Sequence, residues 1–186
     1  MSEQRILRYK EEKALAVASK LLVLSGKKCD KYWLNKLMYY IERLSLVKGG
    51  KPLFFDRLYS ILYGPIASSV NDGIDLASYP ANSPWTKHFS IDGKLVTLKE
   101  EADYSVLSPF EIGLIEEAYN KFKGWDFKRL QEFFKNLPEY KNTTSREEIN
   151  YDDILSAEGF DPQSVKDTIN EIYYFDLLES SLDCVT

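Results

Sequence analysis

Histidine, closely spaced cysteines and convergent carboxylates build most active sites, and this chain of 186 residues is poor in all three. His88 is the single histidine. It stands at the edge of an apolar, strand-forming stretch, with no nucleophile or carboxylate in a local motif beside it. Cys29 and Cys184 lack the close spacing that a metal site requires, and two cysteines do not make a disulfide framework. Glu116-Glu117 and Asp152-Asp153 are adjacent pairs, which on helices diverge rather than converge on one substrate. Lys48-Gly-Gly-Lys51 resembles a phosphate loop but lacks the upstream glycine and the Ser/Thr after the lysine. Nucleophilic, acid–base, metal and phosphoryl chemistry are each disfavoured. The expectation is a protein that is not an enzyme and carries no cofactor and no metal.

Aromatic side chains are plentiful instead, with 13 Tyr, 10 Phe and 3 Trp. A tyrosine carries a polar tip that must reach water or a partner, so Tyr39, Tyr40 and Tyr63 stand out among apolar neighbours. The elements that hold them can be read from spacing. Tyr32 to Val47 is apolar or aromatic at most positions. Its polar exceptions Asn35, Lys36, Glu42 and Arg43 recur seven residues apart as one narrow stripe, so a helix over about 31–48 buries most of its circumference and sits centrally. Asp30 can cap its start, and Lys48, Gly49-Gly50 and Pro52 end it.

The remaining elements are mainly helical. Residues 5–25 carry Ala14, Val17, Ala18, Leu21 and Leu22 at helical spacing, with a stop at Gly26. Residues 57–62 read as a short strand. Gly64 frees a sharp junction, and Pro65 suits the first turn of a helix running to about Leu76. Ser78 to Pro84 reads as loop. His88–Ile91, Asp92-Gly93 and Lys94–Leu98 predict a β-hairpin. Ser108-Pro-Phe-Glu111 is a capping box opening a helix to about Phe122. Gly124 ends it, and Asp126 caps a shorter one to about Phe134. Ser145-Arg-Glu-Glu148 is read as opening another helix, and Asp161-Pro162 as opening the last, to about Leu178. The polar stretch Lys141–Arg146 is the expected seam. The fold class is thus mainly α: a single globular helical domain over 1–142 with a small β-hairpin or short sheet, and an acidic helical extension over 143–186 packed on or next to it.

Three pieces of this pattern, Lys36-Leu-Met-Tyr-Tyr40, Gly50-Lys-Pro-Leu-Phe54 and Tyr63-Gly-Pro-Ile66, resemble in order the Panacea domain, a bacterial and phage-associated family of antitoxins. Pro138-Glu139-Tyr140 matches a later Pro-Glu-aromatic of that family. Ser60-Ile61 stand where relatives often carry Ala-Trp. The resemblance spans roughly residues 10–140. It implies a mainly helical fold with little β structure, and neutralisation of a cognate protein toxin, encoded by an adjacent gene, by direct binding. In relatives similar to the SocA antitoxin it implies delivery of the toxin to an energy-dependent protease.

Charge adds a second clue. Residues 1–60 hold 13 Lys+Arg against 6 Asp+Glu, while Glu147–Asp183 holds eleven acids and one base, Lys166. The acidic tail could pack on the basic first third, or steer a basic partner surface. Lysines interleaved with aromatics (Arg8-Tyr9-Lys10, Lys27-Lys28, Lys31-Tyr32-Trp33, Lys36) could hold nucleic acid. Burial of those aromatics and a pI near 5.1 weigh against it. A nucleic-acid-binding regulator and a proteolytic adaptor are the alternatives to a blocking antitoxin. With no apolar run for a signal peptide or membrane span, a cytoplasmic protein is expected. The partner surface is expected at Tyr39, Tyr40, Tyr63, Gly64 and Pro65, rimmed by Asp152, Asp153 and Glu158.

Overall fold

The structure is a computed structural model and describes residues 7–77 and 83–183. Helix α1 (Glu11–Leu24) leads through strand β1 (Lys28–Asp30) into α2 (Lys31–Gly49). A loop leads to the hairpin β2 (Leu58–Ile61) and β3 (Gly64–Ala67), then α3 (Ser68–Leu76) and the short α4 (Pro84–His88). The hairpin β4 (Phe89–Asp92) and β5 (Leu95–Leu98) precedes α5 (Pro109–Phe122) and α6 (Phe127–Lys135). Strand β6 (Glu147–Ile149), α7 (Tyr151–Ala157) and α8 (Pro162–Asp183) complete the chain. Two three-stranded antiparallel sheets, ordered β1-β5-β4 and β3-β2-β6, flank the helices. The fold is mainly α with short sheets, as the sequence predicts.

Helix α2 is the axis of the core. Asp30 Oδ1 accepts the amides of Tyr32 and Trp33 at 2.8 and 3.3 Å, and Gly50 closes the helix at φ 73°. Leu34, Leu37, Met38 and Ile41 are fully buried among α1, α5 and α6. The polar stripe is buried as well: Asn35, Lys36, Glu42 and Arg43 are all at or below 6% exposure. Such groups are tolerated inside only with polar partners; Asn35 Nδ2 donates to the Lys31 carbonyl of its own helix at 3.2 Å, and the partners of Lys36, Glu42 and Arg43 are the segments described below.

Three sequence expectations are corrected. The first helix begins at Glu11, later than the expected residue 5. Pro65 does not open a helix; it lies in β3, paired across from Ser60. That strand is an edge of its sheet, where a missing N–H breaks no ladder. Helix α3 starts at Ser68 instead. The first-turn amides of Ser69 and Val70 donate to the Asp56 carboxylate at 2.9 Å, a cap supplied from thirteen and fourteen residues upstream. Ser145–Glu148 likewise opens no helix: Glu147–Ile149 pairs with β2 and brings Ile149 into the core at 2% exposure. Helix α7 begins after it, where Asn150 and Asp153 hydrogen-bond across the first turn.

The capping box Ser108/Glu111, the Asp126 cap and the β4–β5 hairpin fall where spacing places them. The expected loop at 78–84 lies mostly outside the described residues. The residues after 142 complete a sheet begun by β2, and the Tyr151 hydroxyl donates to the Asp56 carbonyl at 2.7 Å. No helix among the described residues is long and apolar enough to cross a membrane.

Candidate functional site

Three side chains of α2 each grip one of the loops that carry the sequence motifs. Lys36 Nζ donates to the Pro65 carbonyl at 2.7 Å and lies 5.0 Å from the Tyr32 ring centroid. Burial to 1% exposure strips its water and lowers its pKa from 10.5 to about 7. Gly64, at φ 104°, lets the chain pass over this amine; a Cβ there would sit 3.2 Å from Nζ.

Glu42 does the same for the Gly50–Phe54 turn. Its carboxylate accepts the amides of Leu53, Phe54 and Asp56 at 2.7, 2.9 and 3.0 Å. Burial raises its pKa to about 7, against the opposing pull of those three donors. Phe55, between the bonded amides, is held at φ 59°, a conformation a bulky residue adopts only when its surroundings impose it.

Arg43 and Tyr39 hold the third loop. Arg43 Nε meets Glu139 Oε1 at 2.7 Å, and the Tyr39 hydroxyl donates to the same oxygen at 2.9 Å. A second Arg43 nitrogen pairs with Glu158 at 2.5 Å. The polar residues Lys36, Glu42 and Arg43 therefore anchor these segments from inside, and their place on one face of α2 is the sequence signal of that anchoring.

Most of the residues expected at the centre of the partner surface are buried. Tyr39 and Tyr40 are interior, at 0% and 7% exposure, and Lys121 donates to the Tyr40 hydroxyl at 2.8 Å. Gly64 and Pro65 are buried in β3. Tyr63 alone of that group faces outward, at 52%. It tips the β2–β3 hairpin beside Leu62, 45% exposed, and Phe127, 52% exposed. The Tyr63 and Phe127 ring centroids are 6.4 Å apart, and Tyr32 stands 4.5 Å from Phe127. The Tyr32 hydroxyl donates to the Tyr63 carbonyl at 2.8 Å, fixing the tip. Lys128 and Arg129, both exposed, follow Phe127 in the first turn of α6, and the Arg129 guanidinium lies 3.9 Å from the Trp125 ring centroid. Phe127 has no distinguishing sequence signal. It shares a helical stripe with the buried Leu130 and Phe134 and is exposed because the stripe outruns the core.

The acidic residues are largely engaged within the chain. Glu158 pairs with Arg43, Glu148 with Arg57 at 3.2 Å, and Glu179 with Lys10 at 2.6 Å. Asp153 caps α7 and lies 3.6 Å from Lys141, while Asp152 is exposed. Part of the tail thus covers the basic first third. The basic–aromatic run is similarly spent: Lys31 pairs with Asp75, and Trp33 Nε1 donates to the Phe122 carbonyl at 3.2 Å. His88 Nδ1 donates to the Glu100 carbonyl at 3.0 Å. Among the described residues no group of three or more His, Cys, Asp or Glu side chains could hold a metal ion.

No curated protein and no solved structure matches the chain. A family model described as "Antitoxin SocA-like, Panacea domain" matches residues 34–141, from the α2 clamp to the segment that Glu139 anchors. That match takes in more than half of the sequence, and the chain belongs to the SocA-like Panacea antitoxin family.

Proposed function

We propose that this protein is an antitoxin that neutralises a cognate toxin by direct contact, without catalysis. The apolar centre of that contact is the hairpin tip Leu62-Tyr63 together with Phe127. The exposure of these three large side chains, side by side on rigid supports, is the observation that carries the assignment. Central aromatics at interfaces commonly dominate binding, and a patch held by Lys36, Tyr32 and the α6 cap is preorganised, which lowers the entropy lost on association. Lys128 and Arg129 at its border suit an acidic rim on the toxin.

The test is co-expression with the protein encoded by the adjacent reading frame, scoring growth rescue and co-purification. Rescue by the wild-type chain that is lost in Tyr63→Ala and Phe127→Ala, both folded, supports the assignment. A neighbour that is harmless when expressed alone overturns it.

A further inference from the structure

Helix α8 has two apolar faces, and only one is used. Val165 and Ile172 pack inward, at 8% and 2% exposure, and the buried Asp176 on the same face accepts the Arg8 amide at 3.3 Å. On the outward face Tyr174, Phe175, Leu177 and Leu178 are 60, 54, 42 and 41% exposed. Four large apolar side chains within five positions exceed the scattered exposure that needs no explanation. Tyr174 and Leu178 stand four apart, which aligns them as anchors of a helix that lies in a groove. The exposed charges beside this face are mainly acidic, Asp167 and Glu171 against Lys166. A parallel pairing of α8 with α8 of a second copy would bring these like charges together, and the charge pattern fits a partner surface of opposite sign. The helix also lies wholly beyond the residues 34–141 that match the family.

We infer that the outward face of α8 is a second docking surface, which fits an apolar groove bordered by Lys and Arg on the toxin and makes the contact particular to this antitoxin. The inference rests on the antitoxin assignment above. Its acidic border is opposite in sign to the basic border of the Tyr63 patch, so the two surfaces address different parts of one partner and set its orientation.

The test uses the full chain and, as probe, the protein encoded by the adjacent reading frame, with affinity measured by calorimetry and association rate by surface plasmon resonance, each at low and high salt. Tyr174→Ser with Leu178→Ser, and separately Phe175→Ser with Leu177→Ser, are expected to leave the melting curve in place and weaken binding roughly tenfold or more. Asp167→Lys with Glu171→Lys is expected to slow association and flatten its salt dependence. This charge variant carries the test if the serine variants fail to fold. A wild-type chain that does not bind the probe overturns the antitoxin assignment itself. Wild-type binding that persists within about twofold in the α8 variants overturns the inference alone. A wild-type dimer that the serine variants convert to monomer, with toxin affinity unchanged, also overturns it and assigns the face to self-association.

Discussion

Arg43 and Glu139 meet across 96 positions of sequence, Nε to Oε1 at 2.7 Å, with the glutamate side chain fully enclosed and the arginine 7% exposed. The pair ties the segment after α6 to the central helix, next to the Tyr39 hydroxyl that shares the same oxygen. Removing Glu139 leaves the buried guanidinium only the partly exposed Glu158, and removing Arg43 strands the enclosed Glu139 carboxylate without a counter-charge.

Glu139→Ala is therefore expected to cost about 3–5 kcal/mol in urea unfolding. Arg43→Met alone should cost a similar amount, and the double variant clearly less than the sum of the two, because neither charge is then left alone. Strict additivity would show that the pair is not coupled as its geometry requires.

Gly64→Val should destabilise by about 1–3 kcal/mol. The φ of 104° is strained for a β-branched residue, and the new side chain meets Lys36 Nζ and Phe134 Cβ at 3.2 and 3.4 Å. A melting temperature equal to wild type would show that the junction relaxes freely.

Stability above neutrality should carry the signature of Lys36. In the folded protein its pKa is about 7, below the 10.5 of an exposed lysine. Between those values the unfolded chain binds the extra proton, so stability rises with pH across that window. Below pH 7 both states are protonated and the contribution is constant. Lys36→Met should abolish the rise, read as a flatter profile of unfolding free energy from pH 7 to 10. A profile equally steep in the variant would assign the dependence to other groups.

The tyrosines should separate into two classes. Tyr40→Ala is expected to lose roughly 3 kcal/mol or more of stability, since its ring packs edge-on against Phe122 at 4.9 Å in the core. Tyr63→Ala should stay within about 1 kcal/mol of wild type in unfolding and yet lose about 2 kcal/mol of toxin affinity. Equal stability losses in the two variants would remove the distinction between core and surface.

Local rules carried much of this fold. Asp30, Ser108 and Asp126 cap helices because their side chains reach amides two or three residues ahead, a relation visible in the sequence. The same rules failed where the partner is remote. Asp56 caps α3 from the far side of a hairpin, and Glu147–Ile149 becomes a strand because β2 offers it an edge. In the candidate site, spacing marked Lys36, Glu42 and Arg43 as a stripe. It could not reveal that the stripe faces loops rather than water, since periodicity reports which residues share a face and not what that face meets. Tyr63 was legible as an interface candidate. Phe127 was not, because its helical stripe is indistinguishable from that of a buried residue.

Strand β2 sits between β3, which follows it at once, and β6, which is made much later. At about 5–20 residues per second, a ribosome takes roughly 5–20 s to pass from one to the other. For that interval the edge of β2 that β6 later covers is open, with its outward amides and carbonyls unpaired. The hairpin that presents Tyr63 is then supported on one side only. As an antitoxin, the protein would thus reach neutralising strength some seconds after its interface has been translated. A message cut short near residue 141 would yield a sticky fragment rather than a smaller working inhibitor.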